Sequence, residues 1–176
     1  ALASKDEAEA RSWQELLNGG NFRVYTSTDV IGLEVGGATK NIYAIAAGIS
    51  KALQLGDNAL AALASRGLAE IMRFGAKLGA SPLTLSGLAG VGDLMVTCYS
   101  MHSRNFRLGL AVGSGMSMDE AVEELGQVAE GAYTVRAVVE NSKKFDVEMP
   151  LADAVYRVLY KDEDPHELLK ELFARP

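Results

Sequence analysis

Cysteine is nearly absent from this 176-residue chain: Cys98 stands alone, which excludes an internal disulfide framework, and no Cys/His cluster has zinc-ligand spacing, so no metal site is expected. Proline occurs only 4 times against 18 glycines and abundant alanine. That balance favours closely packed helices joined by glycine turns over a strand-rich sandwich. No stretch approaches the ~18–20 consecutive apolar residues that span a bilayer. The opening Ala1-Leu2-Ala3-Ser4-Lys5-Asp6-Glu7 lacks the basic-then-apolar order of a signal peptide. Positive charge is in deficit, with 17 Lys and Arg against 23 Asp and Glu and a net charge of −6, which argues against a broad electrostatic hold on nucleic acid or anionic lipid. An anionic ligand must therefore be held by a few placed cations. A hydrophobic share of 48% with 23% charged residues is that of a folded globular chain, and a single cysteine fits a reducing, cytoplasmic setting. The absence of an initiator Met fits a chain cut from a longer one.

Along the chain, Ser4 followed by Glu7 reads as a capping box for a short helix whose apolar residues Ala8, Ala10, Trp13, Leu16 and Leu17 end at Asn18-Gly19-Gly20. Phe22-Arg23-Val24-Tyr25-Thr26 alternates as a strand does, and Val30-Ile31-Gly32-Leu33 reads as its hairpin partner across Ser27-Thr28-Asp29. From Gly36 onward the pattern is helical. A buried helix is expected over Lys40–Leu55, where Ile42, Ile45 and Ile49 alternate with small residues, and an amphipathic one over Asn58–Leu78 with Gly79 as its stop. Caps at Ser81-Pro82, Ser117–Glu120 and Asp164-Pro165 help to place further helices near 82–86, 93–100, 103–112, 118–125, 131–144, 150–160 and 165–174. The reading is mainly α: residues 1–35 as the tail of an α/β domain, residues 36–176 as a helical domain.

Three segments carry candidate chemistry. Gly87-Leu88-Ala89-Gly90-Val91-Gly92-Asp93 brings three glycines and a carboxylate close together, although a plain glycine turn with an Asp cap explains it as well locally. Its G-x-x-G-x-G spacing, with no Val/Ile strand before it, is not a dinucleotide fingerprint. Ser103-Arg104-Asn105 at a helix start aims backbone N–H groups, a hydroxyl, a guanidinium and an amide at one point, which suits phosphate; the alternative is an N-cap serine with a solvated arginine. Lys40, entering an otherwise Ile/Ala helix, either snorkels to solvent or sits partly buried and ready for proton transfer. Cys98 reads as a small buried hydrophobe.

Taken in order and spacing, Gly36-Gly37-Ala38-Thr39-Lys40-Asn41 through Ala46-Ala47-Gly48, Arg66-Gly67-Leu68, Gly87 to Leu94, Thr97-Cys98, Ser103-Arg104-Asn105 and Val128-Ala129-Glu130-Gly131 resemble the bacterial NAD(P)-dependent glycerol-3-phosphate dehydrogenases. The resemblance implies a two-domain oxidoreductase whose preceding Rossmann domain holds most of the NAD or NADP, and whose helical domain, of the 6-phosphogluconate-dehydrogenase-like type, closes over a small phosphorylated substrate. It implies Lys40 as catalytic acid and base, with Asp93 holding lysine and substrate. Asn41, Thr97, Ser103, Arg104 and Asn105 fall on substrate positions, and Arg104, Val128 and Glu130 on cofactor positions. The product, glycerol 3-phosphate, would feed phospholipid synthesis, and the small-residue helices permit a homodimer. Two other readings stay open at this point: a non-catalytic helical substrate-binding or dimerisation module, and a related hydroxyacid dehydrogenase domain.

Overall fold

The computed structural model describes residues 1–175. It begins with β1 (Leu2–Ala3), α1 (Glu7–Leu17) and β2 (Thr26–Ser27), and the two strands pair in parallel, Leu2 opposite Thr26 and Ala3 opposite Ser27. Asp6, not Ser4, caps α1, its carboxylate accepting from the backbone N–H groups of Ala8 and Glu9. Ser4 Oγ donates instead to Glu9 at 2.5 Å.

The expected hairpin does not form. Val30–Leu33 is the first turn of α2 (Val30–Ala52), and Phe22–Tyr25 lies outside β2. The cause is Asp29, which caps α2 through the Gly32 N–H at 2.8 Å and takes the N–H of the distant Ser81 on its other oxygen, also at 2.8 Å. Burial alone would raise this carboxyl, but the N–H groups of Gly32 and Ser81, aided by Thr84, hold it below its ordinary value. This tertiary anchor outweighs the β preference of Val30 and Ile31. Gly36, where the sequence changes character, therefore lies inside a continuous helix.

The remaining elements follow the sequence pattern closely: α3 (Asp57–Leu78), α4 (Pro82–Leu85), a turn of π-helix (Leu88–Gly92), α5 (Asp93–Tyr99), α6 (Arg104–Gly113), α7 (Met118–Leu125), α8 (Glu130–Lys144), α9 (Pro150–Lys161) and α10 (Pro165–Ala174). Gly79 ends α3 at φ +91°, a left-handed conformation that costs glycine little. Ser117 and Glu120 form the expected reciprocal capping box of α7.

The core is organised around α2, in which every residue from Asn41 to Ser50 is buried beneath α3, α5, α6 and α8. Ile42, Tyr43 and Ile45 are fully enclosed, each such side chain contributing roughly 1.5–3 kcal/mol. Its closest neighbour is α6. A Cβ on Gly48 would overlap the Phe106 carbonyl, one on Gly109 the Ile45 carbonyl, and one on Gly113 would lie 2.8 Å from Ala52 Cβ. Backbone thus meets backbone, and because Ile45 lies by Gly109 and Ala52 by Gly113, the two helices run in the same direction. Asn41, midway along α2, and Asn105, in the first turn of α6, are thereby brought side by side.

Buried within this bundle, Glu70 of α3 replaces a missing cap. Its carboxylate accepts from the N–H groups of Leu151 (2.7 Å) and Ala152 (3.2 Å) in the first turn of α9 and from the Tyr43 hydroxyl (3.0 Å). Arg157 ties α9 to α10 through Glu163 at 2.6 Å and Glu171 at 3.0 Å. No helix among the described residues is long and apolar enough to cross a membrane.

Candidate functional site

Lys40 does not snorkel. Its side chain is 21% exposed and its Nζ donates to Asp93 Oδ2 at 2.5 Å, joining α2 to the first residue of α5. The glycine segment explains how Asp93 gets there. Gly90 is buried so tightly on the Leu85 backbone that a Cβ would overlap it, and a Cβ on Gly36 would stand 2.6 Å from the Ala89 carbonyl oxygen. The chain passes this crossing as a wide π turn that runs directly into α5, instead of the expected glycine turn with an Asp cap. π turns recur at functional sites because they re-aim the residues that follow. Thr97, one turn beyond Asp93, bonds back to the Asp93 carbonyl at 2.6 Å.

The second group of residues gathers where α6 and α8 begin. Ser103 is the N-cap of α6, its hydroxyl accepting from the Phe106 N–H at 3.3 Å. Asn105 is buried and accepts the Gly131 N–H at 2.8 Å. Gly131 itself lies so close to Asn41 that a Cβ would come within 2.6 Å of the Asn41 carbonyl oxygen. Asn105 thus ties α6 to α8 at the point where Gly131 packs on α2. Arg104 faces outward, 3.8 Å from Glu130, an exposed pair of the kind worth at most about 1 kcal/mol. Its guanidinium is therefore free to exchange Glu130 for a stronger anion. Val128 lies exposed just ahead of α8.

An open cleft of about 460 Å³ adjoins Asp93, lined by Ala1 ahead of β1, Leu33 and Gly37 of α2, Leu88, Ala89 and Gly92 of the π turn, and Val96 of α5. Sequence reasoning missed Leu33, Gly37 and Val96 as lining residues; the helical repeat from Lys40 back to Gly37 and Leu33 was the signal, hidden because the helix was expected to start later. A larger apolar groove of about 500 Å³ runs between α2, α3, α9 and α10. Its polar floor, Glu70, is already engaged by α9. Cys98 is enclosed, and burial pushes its thiol up to about 12, which leaves it inert as a nucleophile at neutral pH.

The family model described as the NAD-dependent glycerol-3-phosphate dehydrogenase C-terminus matches residues 29–170. A glycerol-3-phosphate dehydrogenase [NAD(P)+] of Shouchella clausii is 50% identical over 99% of this chain and 51% of its own length, and that of Bacillus subtilis is 51% identical over 98% and 50%. The crystal structure of glycerol-3-phosphate dehydrogenase from Coxiella burnetii superposes with a TM-score of 0.94 at 46% identity, covering 98% of this chain and 53% of that one. The chain spans about half the length of the curated relatives it matches.

Proposed function

Because the chain belongs to the NAD-dependent glycerol-3-phosphate dehydrogenase C-terminal family, we propose that it is the helical half of a cytoplasmic oxidoreductase interconverting dihydroxyacetone phosphate and sn-glycerol 3-phosphate for phospholipid synthesis. In this reading α2 and the helices after it form a substrate domain of the 6-phosphogluconate-dehydrogenase-like type, the boundary falling ahead of α2 and not at Gly36, which lies inside that helix. The segment before α2, with its parallel β1–α1–β2 unit, is the end of the dinucleotide-binding domain. The observation that carries the reading is the Lys40–Asp93 pair, a partly buried ammonium held at the mouth of a glycine-lined cleft.

The residues present fit a nicotinamide cofactor: the cleft has apolar walls in Leu33, Leu88 and Val96 and a floor bare of side chains at Gly37 and Gly92. When bound, the NAD(P)H supplies the hydride that reduces the C2 carbonyl. Lys40 Nζ donates its proton to the carbonyl oxygen as negative charge develops there, and in the oxidising direction takes the C2 hydroxyl proton. Asp93 holds the ammonium in place. Arg104 leaves Glu130 for the substrate phosphate, joined by Asn105 Nδ2 and the first N–H groups of α6. Asn41, Thr97 and Ser103 flank the substrate, and Val128, Glu130 and Arg104 border the dinucleotide.

The test is NADH oxidation with dihydroxyacetone phosphate. The full-length enzyme is expected to turn over and the 176-residue chain alone to fold cooperatively without turnover. Robust oxidation by the chain alone would contradict the assignment of the cofactor site to a preceding domain, and none by the full-length enzyme would contradict the activity. A second expectation concerns Arg104→Lys in the full-length enzyme. Charge is kept but the planar, paired donors are lost, so KM for dihydroxyacetone phosphate should rise roughly tenfold, an estimate equal to about 1.4 kcal/mol, within the strength of one charged hydrogen bond. Steady-state kinetics check this, and an unchanged KM removes Arg104 from the phosphate site.

A further inference from the structure

We propose that Gly37 lacks a side chain so that the nicotinamide ring of the cofactor can lie against the bare backbone of α2 beside Lys40; this rests on the dehydrogenase reading above. Glycine is disfavoured against alanine inside a helix, so an interior glycine calls for a reason. Its neighbours have one. Gly32 is needed by the Asp29 carboxylate and Gly36 by the Ala89 carbonyl, each of which a Cβ would strike. Gly37 has no such reason: a Cβ there would meet no heavy atom within 4 Å, and its backbone is not left-handed. Among the described residues, neither packing nor conformation requires glycine at this position.

What the missing side chain does leave is room in the cleft. Gly37 sits one helical turn before Lys40, in the cleft that Ala1, Leu33, Leu88, Asp93 and Val96 also line. A slot with apolar walls, a flat peptide floor and an ion pair at one end suits a planar, weakly polar ring whose reacting carbon must approach within ~3–3.5 Å of the substrate carbon. Position along α2 favours the ring over the substrate. Asn41, on the far side of Lys40, lies by Asn105 and the phosphate-binding end of α6, whereas Gly37 and Leu33 lie toward β1, which packs on this end of α2. The cofactor's reacting end has to enter from that side.

Gly37→Ala and Gly37→Leu in the full-length enzyme test this. Alanine should raise Tm by roughly 2–4 °C, because it removes a helix-interior glycine without a clash. The same substitution should raise the NADH dissociation constant, read by fluorescence titration, at least fivefold and KM for NADH in parallel, while KM for dihydroxyacetone phosphate changes less than twofold. Leucine should raise the NADH constants further. A lower Tm for Gly37→Ala would mean that the glycine serves packing and would overturn the proposal, as would unchanged NADH binding in Gly37→Leu or an effect confined to the phosphorylated substrate. If the wild-type enzyme neither binds NADH nor turns over, the dehydrogenase reading itself fails and takes this inference with it.

Discussion

Replacing Lys40 with alanine in the full-length enzyme is expected to lower kcat by about 10²–10⁴-fold, the usual contribution of a positioned acid or base. The change in KM for dihydroxyacetone phosphate should be much smaller, because the proposed phosphate contacts of Arg104 and Asn105 would be untouched and the lost proton transfer acts mainly in the transition state. The geometry makes the expectation specific. Asp93 fixes the Lys40 ammonium at 2.5 Å, beside the cleft that Asp93 lines, so its removal takes away a positioned proton donor. Asp93→Asn should also reduce kcat, since the amide no longer holds the ammonium by charge, while the substrate grip survives. Kinetics at saturating NADH over a range of pH decide the matter. A rate within a few-fold of wild type with an unaltered pH profile would remove Lys40 from the chemistry.

The largest effect on stability is expected at Glu70. Glu70→Ala strands the N–H groups of Leu151 and Ala152 and the Tyr43 hydroxyl in the interior and leaves a cavity, at a cost of about 3–5 kcal/mol and a fall in Tm of roughly 10 °C. Glu70→Gln keeps an acceptor of the same shape and should cost roughly half as much. The two forms also differ in pH dependence. Burial raises the Glu70 carboxyl above its ordinary 4.5, against the opposing pull of the Leu151 and Ala152 N–H groups and the Tyr43 hydroxyl. The folded protein therefore holds this proton more tightly than the unfolded chain, so the contribution is complete below about pH 4.5 and is lost as pH rises through the folded value. The advantage of wild type over Glu70→Gln should accordingly narrow between acid and neutral pH, as urea denaturation at several pH values would show. A gap that widens with pH would reverse the assignment.

Glu70 also shows where sequence reading stops. It stands on the buried face of α3 between Gly67 and Ile71, and a carboxylate inside an apolar stripe was the visible signal. Its purpose depends on α9, far along the chain, and could not be inferred locally. The same holds for Asp29. Asp29-Val30-Ile31-Gly32 reads as a turn into a strand because the second oxygen of Asp29 is committed to Ser81, an acceptor relation with no local trace. Helices with local caps, such as α7 with Ser117 and Glu120 and α10 with Asp164 and Pro165, were legible because cap and helix are neighbours in sequence. Glycines misled where they serve contact instead of turning: Gly36 reads as a boundary, yet it lies in mid-helix against Ala89. Within the candidate site, Lys40, Asp93 and the Ser103–Asn105 segment were visible as residue types. The ion pair that joins the first two, and the brace from Asn105 to Gly131, exist only once the helices are packed.

The backbone contact between α2 and α6 has a mechanical consequence. Side chains that interdigitate can slip by changing rotamer, but the carbonyls of Ile45 and Phe106 press on glycines that have nothing to rotate. The two helices behave as a single splint, with the ammonium of Lys40 fixed midway along one and the guanidinium of Arg104 at the start of the other. In the proposed reaction, the spacing between proton donor and anion grip is then set when the chain folds and not when ligand arrives. A closure in that reaction would carry both groups as one rigid jaw, with the bending confined to segments outside this pair.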